Sequence, residues 1–201
     1  MEKRIIVMAS GKGTTFQEIY DACNDGRING KVVALVTDQK NSVSYQRAQA
    51  MKLPIIEYKV SKIGCVIAEL RKLKPDLITL AGFLKILPEE FVDSFNGLIV
   101  DTHPSLLPCF GGIGMFGINV QKAVLGSGAR VTGCTIHMVD KNVDHGPIIA
   151  QESVPVDFTD SPESLMERIH RVELKLYVDA ISSLLSFDYA IVGNRVIFKN
   201  S

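Results

Sequence analysis

Short apolar runs alternate with amphipathic segments along most of this chain, and that alternation is the tightest constraint on its fold. Arg4–Ala9, Val32–Thr37, Pro54–Tyr58, Leu77–Ala81 and Leu98–Asp101 each read as a strand buried on both faces. Helical spacing fills the gaps. Phe16, Ile19, Tyr20 and Cys23 share one helical face; Ile63, Val66, Ile67, Leu70 and Leu73 share another, on a helix that must stop near Pro75. Shorter helices are predicted around Tyr45–Met51 and Pro88–Phe95. Strands and helices in this order imply βαβ units with right-handed crossovers. The fold class is therefore α/β, with a mainly parallel twisted sheet flanked by helices.

The second half is less regular. A Gly- and Pro-rich loop, LLPCFGGIGMFG, spans Leu106 to Gly117 and precedes a helix at Ile118–Leu125. Val131–Val139 and Pro147–Val156 read as further strands. Asp160-Ser161-Pro162-Glu163 reads as a helix start with Asp160 as N-cap and Glu163 at the capping-box position. Leu165, Ile169, Val172, Leu176 and Leu184 form the stripe of that helix. Val192-Gly193-Asn194-Arg195 suggests a terminal hairpin within Tyr189–Phe198. Neither an internal repeat nor a linker interrupts the pattern, so residues 1–201 are expected to form a single domain.

Composition narrows the function classes. Lys plus Arg and Asp plus Glu are both 22, for a formal net charge of zero. A nucleic-acid-coating protein would carry a basic excess, so nucleic acid is not an expected partner. No apolar stretch approaches the ~20 residues of a membrane span, and the apolar run after MEKR is too short for a signal segment. Cys23, Cys65, Cys109 and Cys134 are scattered without a C-x-x-C pair, as reduced thiols of a cytoplasmic protein would be. The expectation is a cytoplasmic protein without membrane contact.

Three motifs carry chemistry. Gly11-Lys12-Gly13-Thr14-Thr15 lies between a strand and a helix, where glycines admit a ligand and the helix start offers free N–H groups. A phosphate is the natural guest, although neither the P-loop nor the dinucleotide fingerprint is complete. A plain tight turn with a Thr N-cap is the competing reading. Asp101-Thr102-His103-Pro104-Ser105-Leu106-Leu107-Pro108 begins at the end of a buried strand, where open α/β sheets place ligands. Val143-Asp144-His145-Gly146-Pro147 forms a turn before the next strand. An imidazole and a carboxylate from these two loops would make an acid/base pair, whereas taken singly His103 reads as a surface histidine and Asp144 as a turn former. His137, inside an apolar strand, reads as a satisfied core histidine. Glu173 reads as a solvated helix carboxylate. No tight ligand pair such as H-x-x-x-H exists, so no metal is expected.

The blocks SGKGTTFQEI, PDLITLAGFLKILP, HPSLLP and TGCTIHMVDKNVDHGPIIAQESVPV resemble the phosphoribosylglycinamide formyltransferase family, from about Arg4 to Leu184. The resemblance implies a Rossmann-like fold and formyl transfer from 10-formyltetrahydrofolate, as co-substrate, to the amine of glycinamide ribonucleotide. It places Gly13, Thr14 and Thr15 at the substrate phosphate, and His170 and Glu173 at the substrate. Leu84, Lys85, Ile86 and Leu87 would line the pterin pocket, and Asp140, Lys141, Asn142, Val143 and Asp144 the loop that closes the folate site. His103 matches the acid/base histidine and Asp144 the carboxylate that assists it. The implied partners are small molecules, with a monomer or homodimer as the assembly.

One departure matters most. The family pattern is N-x-H-P-S-L-L-P, and this chain has Asp101 at the Asn, a position assigned to both the reacting group and the folate. An Asn amide donates a hydrogen bond; an ionised Asp only accepts. A neutral Asp101 would still donate. Asp101 leaves three readings open: a natural enzyme using a neutral Asp101, a crippled or engineered variant, and a catalytically silent folate- or nucleotide-binding homologue; a separate rival is a formyltransferase for another amine such as an amino sugar nucleotide, whose sign would be the change at Thr15. Thr14 and Thr15 also replace the family's Ser and Asn.

Overall fold

The computed structural model describes residues 2–199. The elements run β1 (Lys3–Met8), α1 (Thr14–Asn24), β2 (Gly30–Thr37), α2 (Val43–Ala50), β3 (Ile55–Glu57), α3 (Ile63–Lys72), β4 (Leu77–Leu80), α4 (Glu89–Ser94) and β5 (Ile99–His103). They continue as α5 (Ile118–Ser127), β6 (Val131–Met138), β7 (Ile148–Pro155), α6 (Pro162–Ser186), β8 (Tyr189–Val192) and β9 (Arg195–Phe198). All the strands join one sheet in the order β3-β2-β1-β4-β5-β6-β7-β9-β8.

The expected parallel region spans β3 to β5. Its strands are buried on both faces, as their unbroken apolar runs require: Ile5–Met8 and Leu77–Leu80 are fully covered. Chain direction then reverses. β6 pairs antiparallel with both β5 and β7, and the terminal hairpin joins the far edge through β9. The sequence order β1-β2-β3 runs one way from β1 and β4-β5 the other, so the crevice beyond the C-terminal ends of β1 and β4 is the switch point where such sheets bind ligands.

Two local expectations change. The strand expected to end at Asp101 continues to His103, because Thr102 and His103 pair with Ile136 and Thr135 of β6. Helix α6 is capped by Ser161, not Asp160: Ser161 Oγ accepts from the Ser164 N–H at 3.2 Å, and Ser164 Oγ accepts from the Ser161 N–H at 3.0 Å. Asp160 instead accepts from Ser164 Oγ and from Arg168. The reciprocal pair wins because Pro162 starts the helix one residue later than an Asp160 cap would. Among the described residues, no helix is long and apolar enough to cross a membrane.

Tyr177 fastens α6 to the sheet. It is the largest fully buried side chain, and its hydroxyl lies 3.1 Å from the Leu80 carbonyl and 2.9 Å from that of Val100. Those carbonyls sit near the ends of β4 and β5, so one phenol spans the strands that carry the crevice. Tyr177→Phe deprives both of a buried donor, and urea titration at neutral pH should show a loss of about 1–3 kcal/mol with an unchanged m-value.

Candidate active site

The loop after β1 leaves the start of α1 without a side-chain cap. Gly13 is the N-cap of α1 in the left-handed region (φ 67°), and a Cβ there would meet the Ser44 Cβ at 2.7 Å, so only glycine fits. No side chain caps α1, which leaves the first N–H groups of the helix available to a ligand. The Thr N-cap alternative is thereby excluded. Thr14 is exposed, while the Thr15 side chain is buried, so Thr15 offers the loop its backbone rather than its hydroxyl. The loop is tied to β4: the Ser10 N–H donates to the Gly82 carbonyl at 3.3 Å, and the Leu84 N–H donates to Ser10 Oγ at 3.1 Å. The phosphate loop and the Leu84–Leu87 segment are therefore neighbours.

Strand alternation divides β5 between the two faces of the sheet. Thr102 points to the α6 side and donates its hydroxyl to Glu173 Oε1 at 2.7 Å. Glu173 Oε2 lies 3.0 Å from His170 Nδ1, and His170 Nε2 lies 3.2 Å from Thr14 Oγ1. A continuous polar chain thus runs from β5 through α6 to the phosphate loop. Glu173 is 8 % exposed, so the solvated-carboxylate reading is wrong. The period of α6 turns it inward, between Ile169 and Tyr177. The hydrogen bond that His170 donates to Glu173 raises the His170 pKa above its ordinary value, against the effect of partial burial.

Asp101 and His103 point to the opposite face. His103 is 4 % exposed, so it is no surface histidine. Its Nε2 lies 2.8 Å from the Phe110 carbonyl. A carbonyl only accepts, so Nε2 carries the proton. Nδ1 faces Asp144 Oδ2 at 3.4 Å. Asp144 Oδ2 also accepts from the Gly112 N–H at 2.8 Å. Gly111 lets the two loops meet, since a Cβ there would lie 3.2 Å from the Asp144 Cβ and closer still to Leu107. Asp144 holds a left-handed backbone (φ 58°), which a short polar residue tolerates. The pairing of His103 with Asp144, expected from two separate loops, is present.

The segments expected at the folate site face each other. Leu84 and Ile86 are exposed apolar side chains, Lys85 is exposed and Leu87 half-buried. Across from them, Lys141 Nζ lies 3.7 Å from Glu89 Oε1, linking the Asp140–Asp144 loop to the start of α4. Asp140 accepts from the Asn142 N–H at 2.7 Å, and Val143 is exposed. The terminal hairpin steadies this loop: Asn194 Nδ2 donates to the His145 carbonyl at 2.9 Å. Leu84 and Ile86 thus expose apolar side chains on this side of the crevice.

His137 was missed as a site residue. It is Asp101's direct partner on β6 and shares its face. It is buried, as expected, but not satisfied: Nδ1 bonds the Met138 carbonyl at 2.9 Å, and Nε2 has no partner. The only signal in the sequence is its place two residues from Thr135 on a strand pairing with Asp101, and pairing is not legible there. Donor atoms of Asp101, His137 and Asp144 lie within 4.8 Å of one another, which leaves two states for the cluster, a cation held among them or a proton kept on Asp101. Burial pushes the Asp101 carboxyl well above the usual carboxylate range; the Thr102 N–H opposes this and the charges of Asp144 and Glu173 add to it. That favours the proton.

A family model described as formyl transferase matches residues 3–181. The chain belongs to the formyl transferase family. It is 40% identical over 190 residues to the chloroplastic phosphoribosylglycinamide formyltransferase of Arabidopsis thaliana, covering 90% of this chain but 65% of that protein. It therefore spans just under two thirds of the length of this plant relative. The Bacillus subtilis phosphoribosylglycinamide formyltransferase is 33% identical, with 92% of this chain and 96% of that protein covered. Among solved structures, glycinamide ribonucleotide transformylase 1 from Symbiobacterium toebii superposes with a TM-score of 0.90 at 33% identity, covering 98% of this chain and 94% of that one. A formyltetrahydrofolate deformylase from Pseudomonas syringae shares the fold at 20% identity, with a TM-score of 0.88 over 98% of this chain and 66% of that one.

A raised pKa for Asp101 has a sign that stability can report. The folded state holds its proton more tightly than the unfolded chain, whose carboxyl titrates near ~3.9. Asp101 therefore contributes most below that pH, and the contribution is lost as pH rises toward its folded value. Asp101→Asn should gain stability relative to the parent by about 1.4 kcal/mol per pH unit across that window. Denaturant midpoints at successive pH values measure the gap; a constant gap would mean that Asp101 titrates normally.

Proposed function

We propose that this chain transfers a formyl group from 10-formyltetrahydrofolate to the primary amine of glycinamide ribonucleotide, a step of purine synthesis. The observation that carries the reading is the convergence of an uncapped helix start, the Thr14–His170–Glu173–Thr102 chain and the His103–Asp144 pair on one crevice. The relatives' names agree with it. In the balance of the reaction, the amine nitrogen gains the formyl group and loses a proton, and the folate N10 gains one.

Each cluster has a task. The start of α1, with Gly13, Thr14 and Thr15, grips the phosphate of the amine substrate. Glu173 and His170 hold its sugar end. The exposed backbone and apolar side chains of Leu84–Leu87, with the Asp140–Asp144 loop, bind the pterin, and the folate supplies the formyl carbon as electrophile. His103 carries the proton between the two nitrogens, with Asp144 orienting its ring. For that it must release the Phe110 carbonyl, which now holds its Nε2 proton. Neutral Asp101 donates to the formyl oxygen as negative charge grows there, the service that Asn performs in the resembling family.

The same substitution favours a second reading. Were Asp101 ionised, it would present only acceptors to that oxygen, and the protein would bind both ligands without turnover. A formyl-transfer assay from pH 5 to 9 separates the readings. The enzyme reading expects activity that falls on the alkaline side, as Asp101 loses its proton, and an Asp101→Asn variant without that alkaline fall. Absence of turnover in the parent, with gain in Asp101→Asn, supports the binding homologue.

Two further variants test the assignments. His103→Asn should lower kcat by about 10²–10⁴ while leaving substrate binding near the parental value. Glu173→Gln should act mainly on KM for the amine substrate, because it touches the sugar end rather than the reacting group.

A further inference from the structure

We propose that Arg47 is a positioning residue for the loop after β1: from α2 it fixes the Lys12–Gly13 peptide so that the Gly13 N–H, and not the Lys12 carbonyl, meets the phosphate of the amine substrate. This rests on the formyl-transfer reading for the identity of that phosphate, though not for the geometry of the loop.

Two hydrogen bonds tie the loop to α2. The Ser44 N–H, a free donor in the first turn of α2, donates to the Gly11 carbonyl at 3.0 Å. Arg47, on the next turn, donates from Nε to the Lys12 carbonyl at 3.2 Å. Its Nη1 donates to Gln17 Oε1 at 2.8 Å, and Gln17 Nε2 donates in turn to Asp21 Oδ1 at 2.9 Å. The guanidinium is thus held between the loop and α1. The Gly13 carbonyl accepts from the Gln17 N–H at 2.9 Å, as the first bond of α1. The carbonyls of Gly11, Lys12 and Gly13 are all occupied.

A trans peptide sends its N–H and its carbonyl in opposite directions. Among the described residues only Leu107–Pro108 is cis, so the loop peptides are trans. With the Gly11 carbonyl on Ser44, the Lys12 N–H points away from α2. With the Lys12 carbonyl on Arg47, the Gly13 N–H does the same. Among the described residues no backbone carbonyl accepts from the N–H groups of Gly11 to Thr15, and no side chain caps α1. The row of free donors is therefore set by where the carbonyls are held.

The Lys12–Gly13 peptide is the weak point of that row. Glycine accepts either sign of φ, so the peptide before it can turn over at little cost and exchange its N–H for its carbonyl. A turned peptide would present an oxygen to an anion. Packing forbids the simple remedy of a bulkier residue, because a Cβ on Gly13 would meet the Ser44 Cβ at 2.7 Å. The freedom that the close approach of α2 demands must be restrained from outside the loop. Arg47 supplies that restraint, and Gln17 steadies Arg47 without touching the loop carbonyls through its own side chain.

The decisive experiment titrates inorganic phosphate into the ¹⁵N-labelled full chain and measures formyl transfer beside it. In the parent, the Lys12 and Gly13 amide resonances should shift downfield as phosphate binds. Arg47→Met should weaken phosphate about tenfold, as expected for loss of a hydrogen bond from a charged group. Gln17→Met, which changes no charge, should weaken it in the same direction. The double variant should be no weaker than Arg47→Met, because Gln17 acts through Arg47. In kinetics the same factors should appear in KM for glycinamide ribonucleotide, with kcat and KM for 10-formyltetrahydrofolate unchanged. Parental phosphate affinity in Arg47→Met overturns the proposal. Full rescue by Arg47→Lys, with parental affinity in Gln17→Met, overturns it too, since Arg47 would then act by charge alone. Loop amides that ignore phosphate in an active parent overturn it and leave formyl transfer standing. Amides that respond as expected in a protein without turnover sustain it and sink the formyl-transfer reading instead.

Discussion

Pairing of Val100–His103 with Thr135–Met138 fixes the geometry of everything that acts in this protein. Side chains on adjacent strands have no freedom to choose a face once the register is set. Asp101 and His103 are sent to one side with His137 and Thr135, and Thr102 to the other with Glu173. The sheet thus separates the His103–Asp144 pair from the Thr102–Glu173–His170 chain by the thickness of a single backbone. A one-residue slip would exchange the two sets and leave a threonine where the imidazole belongs.

The rest of the fold holds that ladder in place. Tyr177 ties the ends of β4 and β5 to α6, and the same helix carries Glu173 and His170 one turn and two turns earlier. Ser10 joins the loop after β1 to the segment after β4 by two hydrogen bonds. The antiparallel half contributes differently. Reversal at β6 brings the β6–β7 loop back over β5, and only that reversal puts Asp144 beside His103.

Much of this was legible in the sequence. The parallel half was read from its apolar runs, because a strand buried on both faces leaves no other composition open to it. The glycine loop, the His-Pro segment and the Asp-x-Gly turn declared their chemistry through residue type alone, and similarity to the formyltransferases gave those residues roles. Glu173 reads as solvated because a helix carboxylate ordinarily faces water, while its burial depends on which helical face meets β5. Asp160 was misread as a cap because Asp and Ser both cap well, and the choice fell to the reciprocal bond between Ser161 and Ser164. His137 looked like core, and it is core. Its unmatched nitrogen appears only when Asp101 is placed opposite.

The sequence by itself therefore determined the α/β class, the loop chemistry and the departure that matters most from the pattern it resembles, Asp101. These follow from hydrophobic period and from which atoms each side chain carries, both properties of residues taken one at a time or near one another in the chain. Only the tertiary structure decided what Asp101 is. Burial and the charges of Asp144 and Glu173 push its carboxyl above the usual carboxylate range, against the Thr102 N–H that it accepts from. Protonation depends on solvent and on fields from groups far away in sequence, so no reading of neighbours along the chain could have settled it.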